Sequence, residues 1–263
     1  MYHYLWMNPL EQFSIKGKIA VVLGGTSGIG QAIARGYAAA GATTIASSRD
    51  QAKVAAIADE IEKLGSKTLR LTSDVQDRAS LETLCSEVVL AFGQVDVLVV
   101  TSGTLKKMPT ADFPDEDWTR IIDINLNGSF RANQIFGRQM IKQQSGCIIN
   151  TCSLTSFVSF TEVAPYSCSK AGVKMLTESL ASEWAKYNIR VNAIAPGFFR
   201  TPLNSHVLDL PERKAAISAK TPMGRIGRVE ELVGAAIFLA SEASGFVTGQ
   251  TVAVDGGFLA RGL

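Results

Sequence analysis

Short apolar runs alternate with longer amphipathic segments along most of the chain. Each run is bounded by glycine or polar residues, as expected for a strand that is buried on both faces of a parallel sheet. We predict strands over residues 19–23, 43–46, 68–71, 95–100, 147–151, 189–194 and 251–254.

Between these runs, apolar positions recur three or four residues apart, which is typical of the buried face of a helix. Gly41 and Gly65 end two of the segments, where glycine suits the left-handed C-terminal position. We predict helices over residues 30–40, 51–64, 79–92, 115–144, 163–187 and 229–240. Residues 197–223 carry Pro202, Pro211 and Pro222 and are predicted to be irregular.

Repeated strand–helix units of this length predict an α/β fold, a single-domain Rossmann-like, doubly wound parallel sheet with helices on both faces. We expect all of residues 1–263 to form one domain, with an N-terminal extension over 1–14 and a substrate loop over about 197–223. That loop follows a predicted strand, and open α/β sheets bind ligands beyond the carboxyl ends of their strands.

Composition excludes several classes of partner and site. The formal net charge is +2 without a basic stripe, so we expect no nucleic-acid partner. Only His3 and His206 are present as histidines, so we expect no metal site. Residues 1–13 lack the pattern of a signal peptide, and no apolar stretch is long enough to span a bilayer, so we expect no membrane association.

The cysteines also bear on the cellular compartment. Cys85, Cys147, Cys152 and Cys168 form no C-x-x-C pair. We expect them to be buried, reduced thiols of a cytoplasmic protein.

A glycine-rich turn follows the first predicted strand and opens the first helix. Such a turn lets backbone approach a pyrophosphate closely, while the helix N-terminus offers free N–H groups to the anion. The context of strand, turn and helix therefore predicts a dinucleotide site. Its expected contacts are Gly24, Thr26, Ser27, Gly28, Ile29 and Gly30.

The end of the second strand indicates which dinucleotide binds. NAD-binding sites usually carry a carboxylate there, whereas this chain has Ser48 and Arg49. An arginine can pair with a 2′-phosphate, so we predict NADP(H), with a solvated surface arginine as the alternative. Asp74 and Val75, after the third predicted strand, are expected to hold the adenine.

Several motifs occur in an order that resembles the short-chain dehydrogenase/reductase family over nearly the whole chain. Tyr166 and Lys170 fit Y-x-x-x-K, Ser153 lies thirteen residues before the tyrosine, and Asn125 stands in Ile-Asn-Leu-Asn-Gly. The resemblance implies that these four residues are catalytic. Further motifs include P-G-x-x-x-T and the closing Asp-Gly-Gly, and the cofactor contacts that they imply are Thr101, Gly103, Tyr166, Lys170, Pro196, Gly197, Phe199 and Thr201.

The sequence departs from the family pattern at two places. Leu23 stands where threonine is usual in the glycine motif, and Val100-Thr-Ser-Gly103 stands where N-N-A-G is usual. Both positions support the cofactor loop, so we expect the departures to affect loop rigidity and not the reaction.

The chemistry of hydride transfer explains why these residue types occur together. A ketone that accepts a hydride needs a proton, and Tyr166 is the expected proton donor and acceptor. Lys170 lies on the same helix face, and its ammonium is expected to lower the pKa of the phenol. Ser153 would orient the carbonyl. The resemblance implies that Asn125 kinks its helix and holds a water beside the lysine.

Within the family, the chain is most similar to the gluconate 5-dehydrogenase-like and polyol dehydrogenase branch. A sugar acid needs a cation, and Lys106 and Lys107 stand where that branch carries arginines. Two solvated lysines are the alternative. Phe160 and its apolar neighbours would line the other side of the pocket and suit a less polar ketone, so the two indications conflict.

Other functions and the assembly state stay open at this point. Arg131 and Arg138 are candidates for contacting an acidic carrier protein, as in a 3-oxoacyl-[acyl-carrier-protein] reductase. A broad ketone reductase and a non-catalytic NADP-binding regulator are further alternatives. The family resemblance implies a homotetramer, with residues 115–144 and 163–187 at one interface and the C-terminal segment, including Phe258 and Leu259, at another.

Overall fold

A computed structural model describes residues 8–261, and its centre is one parallel sheet. Its strands are β1 (Ile19–Leu23), β2 (Thr43–Ser47), β3 (Val97–Val100), β4 (Gly146–Thr151), β5 (Ile189–Pro196) and β6 (Thr251–Val254). The strand order is β2-β1-β3-β4-β5-β6, so the chain reverses direction across the sheet between β1 and β3. This is the doubly wound arrangement, and the predicted fold is confirmed.

Helices cover both faces of the sheet. They are α1 (Gly28–Ala39), α2 (Gln51–Lys63), α3 (Arg78–Phe92), α4 (Asp115–Ile122), α5 (Gly128–Gln143), α6 (Ala164–Trp184), α7 (Ser205–Leu208), α8 (Pro211–Lys220) and α9 (Val233–Ala240). Because successive strand residues point to opposite faces, Val21 and Leu98 join one apolar core with α3, α5 and α6, whereas Val22 and Val99 join a second core with α1, α2 and α9.

The strand predicted over residues 68–71 is wrong. This segment runs beside β2, tethered by main-chain bonds from Thr44 N–H to the Lys67 carbonyl and from Ser73 N–H to the Ser48 carbonyl. Between these tethers, the Ser47 hydroxyl donates to the Leu71 carbonyl at 2.6 Å. A side chain thus satisfies a carbonyl that a strand ladder would use, and the segment is irregular.

Two predicted segments have a finer structure than their patterns indicated. The helix predicted over 115–144 is α4 and α5 joined by a π-helical turn, Asp123–Asn127. The stretch predicted to be irregular, 197–223, contains α7 and α8, and Pro211 opens α8 because its fixed φ suits a first helical turn. No helix within residues 8–261 is long and apolar enough to cross a membrane.

The predicted extension over 1–14 is only partly described, and its first seven residues lie outside the described range. Residues 9–13 form a short 3₁₀ helix. Phe13 lies against Phe238 of α9, with ring centroids 6.2 Å apart. The described part of the extension therefore packs on the α9 side of the sheet.

Candidate active site

The glycine-rich turn joins β1 to α1 at the carboxyl edge of the sheet. Gly24 has φ +75°, and a Cβ on it would lie 2.8 Å from the Thr101 hydroxyl and 2.9 Å from Ser102 N. A Cβ on Gly30 would overlap the Gly24 carbonyl oxygen and the same hydroxyl. Only glycine at these positions lets the turn fold flat against the end of β3 and leave the α1 N-terminus open.

The two departures from the family pattern contact each other. The Thr101 hydroxyl donates to the Leu23 carbonyl at 2.7 Å, and the Leu23 side chain is fully buried. This bond ties the end of β3 to the end of β1, directly beneath the glycine turn. The substituted residues therefore supply their own support for the loop.

A cavity of about 420 Å³, here called the glycine-loop cavity, opens over this edge. Most of the predicted cofactor contacts line it: Gly24, Thr26, Ser27, Gly28, Ile29, Gly30, Ser48, Arg49, Asp74, Val75, Thr101, Gly103 and Thr201. Other lining residues were not among the predicted contacts: Ser73, Gln76, Ser102, Thr104, Arg120, Ile124, Pro202 and Leu203. Arg120 lies on α4 and Ile124 in the π-helical turn, and the others lie in loops.

The polar groups near the end of β2 differ in whether they are free to contact a ligand. Asp50 caps α2, where its carboxylate accepts the Lys53 N–H at 3.1 Å, and this lowers the pKa of Asp50. Arg49 is 70% exposed, with the Asp74 carboxylate 4.0 Å from its guanidinium. Ser48 accepts a hydrogen bond from the Thr26 hydroxyl at 2.9 Å. The cavity thus offers a cation and hydroxyls here, while the Asp50 carboxylate is engaged by Lys53 at the start of α2.

The four predicted catalytic residues come together beyond the ends of β3 and β4. Lys170 Nζ lies 5.8 Å from the Tyr166 ring centroid and donates to the Thr151 carbonyl at 2.6 Å. Ser153 lies two residues after the end of β4 and caps a 3₁₀ turn, with its hydroxyl accepting the Thr155 N–H at 3.2 Å. The lysine and the serine are buried, and the tyrosine is partly buried.

Asn125 lies in the π-helical turn and is fully buried. Its amide accepts the Thr104 N–H at 2.8 Å and donates to the Thr104 carbonyl at 3.0 Å and to the Ser169 hydroxyl at 3.0 Å. A Cβ on Gly103 would lie 3.4 Å from Asn125 Oδ1 and 3.8 Å from Lys170 Nζ. The asparagine therefore sets the loop after β3 against α6, close to the lysine.

The titration of Tyr166 and Lys170 is governed by burial. Burial raises the pKa of Tyr166, and the nearby Ser153 hydroxyl opposes that rise. Burial also lowers the pKa of Lys170 to about 8, because an ammonium loses hydration there. The expected lowering of the phenol pKa is not found, because desolvation of the phenolate outweighs the opposing effect of the Ser153 hydroxyl.

Ser156 links two parts of the cluster and was not found from the sequence. Its hydroxyl accepts the Ser153 N–H at 3.3 Å and donates to the Lys170 carbonyl at 2.8 Å. This side chain bridges the turn that carries the serine to the helix that carries the lysine. Nothing in a lone serine three residues after Ser153 indicated this bridge.

One cysteine expectation is corrected on the same helix. Cys85, Cys147 and Cys152 are buried free thiols, but Cys168 is exposed. It lies two residues from both Tyr166 and Lys170, so it occupies the opposite side of α6 and faces away from the cluster.

A second cavity of about 230 Å³, here called the Tyr166 cavity, adjoins Tyr166 and Ser153. Predicted residues that line it are Phe160, Lys107, Pro196 and Gly197. The sequence missed Phe198, whose ring centroid lies 5.8 Å from Phe160 and 5.4 Å from Phe258. It also missed further lining residues from the 197–223 segment: Leu203, Asn204, His206, Leu208, Arg213 and Ile217.

Lys106 and Phe199, two of the predicted contacts, line neither cavity, and both lysines predicted to bind substrate are ion-paired. Lys106 is ion-paired with Asp117 of α4 and is absent from the lining of the Tyr166 cavity. Lys107 lines that cavity, with its ammonium 2.8 Å from the Glu162 carboxylate. Phe199 is 4% exposed and packs in the apolar core against Gly227, away from both cavities.

Known proteins resemble this chain over nearly its full length. The family model described as enoyl-(acyl carrier protein) reductase matches residues 24–259. A 2-dehydro-3-deoxy-D-gluconate 5-dehydrogenase of Pseudoalteromonas atlantica (strain T6c) is 39% identical, over 96% of this chain and 100% of that protein.

Solved structures of related dehydrogenases also resemble this chain. A gluconate 5-dehydrogenase from Burkholderia cenocepacia J2315, in complex with NADP and tartrate, superposes with a TM-score of 0.94 at 38% identity, over 97% of this chain and 100% of that chain. A short-chain type dehydrogenase/reductase from Mycobacterium marinum gives a TM-score of 0.93 at 35% identity, with the same coverage. The chain belongs to the short-chain dehydrogenase/reductase family.

Proposed function

We propose that this protein is an NADP(H)-dependent oxidoreductase that interconverts a secondary alcohol and a ketone of a sugar, polyol or sugar acid. The observation that carries the proposal is the convergence of Asn125, Ser153, Tyr166 and Lys170 near the two cavities. Similarity to sugar-acid dehydrogenases supports the substrate class.

The residues of the glycine-loop cavity fit NADP(H). The flat turn around Gly24 and Gly30 leaves the α1 N-terminus open to a pyrophosphate. Arg49 and Ser48 suit a 2′-phosphate, and Asp50, which caps α2, is not free to hold a 2′-hydroxyl. The cofactor, when bound, supplies or accepts the hydride.

Tyr166 would move the proton of the reaction. Its raised pKa keeps the phenol protonated at neutral pH, ready to donate to the oxygen of a ketone during reduction. In the reverse direction, the nearby Lys170 ammonium would stabilise the phenolate that accepts the alcohol proton.

The other two residues would orient and support these groups. The Ser153 hydroxyl, at the wall of the Tyr166 cavity, would donate to the substrate oxygen and stabilise its developing charge. Asn125 would hold the loop after β3 beside Lys170 through its paired bonds to Thr104.

An assay of cofactor turnover tests the proposal. Wild-type protein is offered NADP⁺ and NAD⁺ with D-gluconate and D-sorbitol, and NADPH with 5-keto-D-gluconate, neutral ketones and acetoacetyl thioesters. The proposal expects turnover of sugar or sugar-acid compounds with NADP(H) preferred. Turnover of none of them would contradict it, and a preference for NAD(H) would contradict the cofactor assignment.

Reduction of 3-oxoacyl thioesters is the second candidate. It is favoured by the aromatic wall of Phe160, Phe198 and Phe258. Against it, Arg131 is engaged by the Asp123 carboxylate at 2.6 Å and is less free to meet an acidic carrier protein, although Arg138 is exposed. Preferential reduction of acetoacetyl thioesters in the same assay would select this function.

We further propose that the chain acts as one domain over 1–263, as a homotetramer in the cytoplasm. Trp118, Phe130 and Met175 on α4, α5 and α6 are 43%, 43% and 59% exposed, which suits burial in an interface between copies. The four free cysteines suit a reducing compartment. Light scattering during size exclusion tests the assembly, and a monomer would contradict it.

A further inference from the structure

The Tyr166 cavity is lined by basic side chains and by no carboxylate. Its lining residues, all within the described part of the chain, include Lys107, His206 and Arg213 but neither aspartate nor glutamate. A cavity with this balance attracts an anion. Lys107 and Arg213 differ in whether a neighbouring carboxylate already balances their charge.

Both lysines expected from the sequence have carboxylate partners. Lys106 is paired with Asp117, which also binds the Arg120 guanidinium at 3.1 Å. The Lys107 ammonium lies 2.8 Å from the Glu162 carboxylate. A substrate carboxylate would compete with these partners, so neither lysine is a free receptor.

Arg213 is in a different position. Within residues 8–261, no Asp or Glu carboxylate lies within 4.0 Å of its guanidinium, whereas Arg200 in the same segment is bound by Asp209 at 2.6 and 2.7 Å. The Arg213 side chain is exposed and lines the cavity, so its five N–H donors are open to a ligand.

The fold gives Arg213 a fixed direction. It lies in the first turn of α8, one helical turn before Ile217, which is 5% exposed and lines the same cavity. Residues four apart share a helix face, so the packing of Ile217 turns Arg213 toward the cavity. Leu208 of α7 is 3% exposed and lines the same cavity, so α7 is also anchored there by a buried side chain.

We propose that Arg213 is the residue that binds the carboxylate of a sugar-acid substrate in the Tyr166 cavity. A planar guanidinium holds a carboxylate through two parallel hydrogen bonds, which an ammonium cannot do. Arg213 is therefore a specificity-determining residue, which selects acids over neutral polyols. This inference rests on the proposed sugar-acid function.

A pair of matched substrates tests the role of Arg213. D-Gluconate and D-sorbitol share a six-carbon chain, but sorbitol has a hydroxymethyl group in place of the carboxylate. The Arg213→Gln variant is compared with Lys214→Gln, which removes the same charge at the next position of α8, outside the cavity lining. With NADP⁺ as the second substrate, KM and kcat are measured for each compound.

Arg213→Gln is expected to raise KM for gluconate by roughly tenfold or more, the loss expected for a charge-assisted hydrogen bond. It should leave kcat and the sorbitol KM nearly unchanged, Lys214→Gln should behave as wild type, and Arg213→Lys should restore part of the loss. An unchanged gluconate KM in Arg213→Gln, or an equal rise for sorbitol, would overturn the inference.

Binding of tartrate, measured by titration calorimetry, keeps this test separate from the proposed function. If wild type turns over none of the sugar, polyol or sugar-acid compounds in either direction, the proposed function fails, and tartrate then decides the role of Arg213 alone. Weaker tartrate binding in Arg213→Gln than in Lys214→Gln supports the carboxylate site. Equal binding in both variants, or no binding to wild type, overturns it.

Discussion

The buried lysine of the site should reduce the stability of the folded protein at neutral pH. Burial lowers the pKa of Lys170 from 10.5 to about 8, which corresponds to roughly 3 kcal/mol of unfavourable free energy for holding the ammonium in place. Replacing Lys170 by Met removes this cost but also the hydrogen bond to the Thr151 carbonyl, which contributes about 1–3 kcal/mol. The net change at pH 7 is therefore small or stabilising, although activity is lost.

The pH dependence separates the two contributions. The folded lysine loses its proton near pH 8 and the unfolded one near 10.5, so the unfolded chain binds more protons between these values. The penalty is fully present below pH 8 and vanishes above 10.5. Wild type should gain roughly 2 kcal/mol relative to Lys170→Met between pH 7 and 9.5.

Urea unfolding, followed by tryptophan fluorescence at a fixed protein concentration, measures this difference. Lys174→Met is the matched control, because Lys174 lies one turn later on α6 and is paired with Glu178 near the surface. Its stability should run parallel to wild type between pH 7 and 9.5. If Lys170→Met also runs parallel to wild type, burial of a charged lysine does not govern this site.

Further variants test other parts of the site. Arg49→Glu should lower the NADP-to-NAD ratio of kcat/KM by about 100-fold, since it replaces a phosphate-pairing group by a carboxylate; an unchanged ratio would show that Arg49 is only a surface residue. Gly30→Ala should weaken NADPH binding, measured by fluorescence titration, by about tenfold or more, because its Cβ overlaps the Gly24 carbonyl. Gly234→Ala, which meets no atom within 4 Å, is the control and should bind normally. Ser156→Ala should cost about 1–2 kcal/mol of stability and lower kcat, because it breaks the bridge between Ser153 and Lys170. If this variant kept the kcat and the unfolding midpoint of wild type, the bridge would have no role in stability or turnover.

The sheet and the placement of most motif residues could be predicted because they depend on local patterns. The apolar runs of β1 and β4 and the turn around Gly24 carry their own signals. The segment 68–71 resembled a strand, but its ladder is interrupted by the Ser47 hydroxyl, a contact between residues 24 positions apart. Periodicity cannot register such a contact.

The substrate side of the site could not be predicted because it also depends on contacts between residues that are distant in sequence. Lys106 and Lys107 stood at the expected position after a strand, yet Asp117 and Glu162 from other segments pair with them. Arg213 carries no motif and reaches the cavity only because α8 packs through Ile217. Charge compensation and helix placement are properties of the folded chain.

The proton role of Tyr166 is tested most directly by the turnover of Tyr166→Phe on a substrate that wild type converts. Phenylalanine keeps the ring but has no proton to donate, so kcat should fall by roughly 10²–10⁴, while NADPH binding measured by fluorescence stays within a few-fold. Tyr187→Phe, beyond the end of α6, should retain full turnover. A kcat near wild type in Tyr166→Phe would contradict the assignment of Tyr166 as proton donor and acceptor.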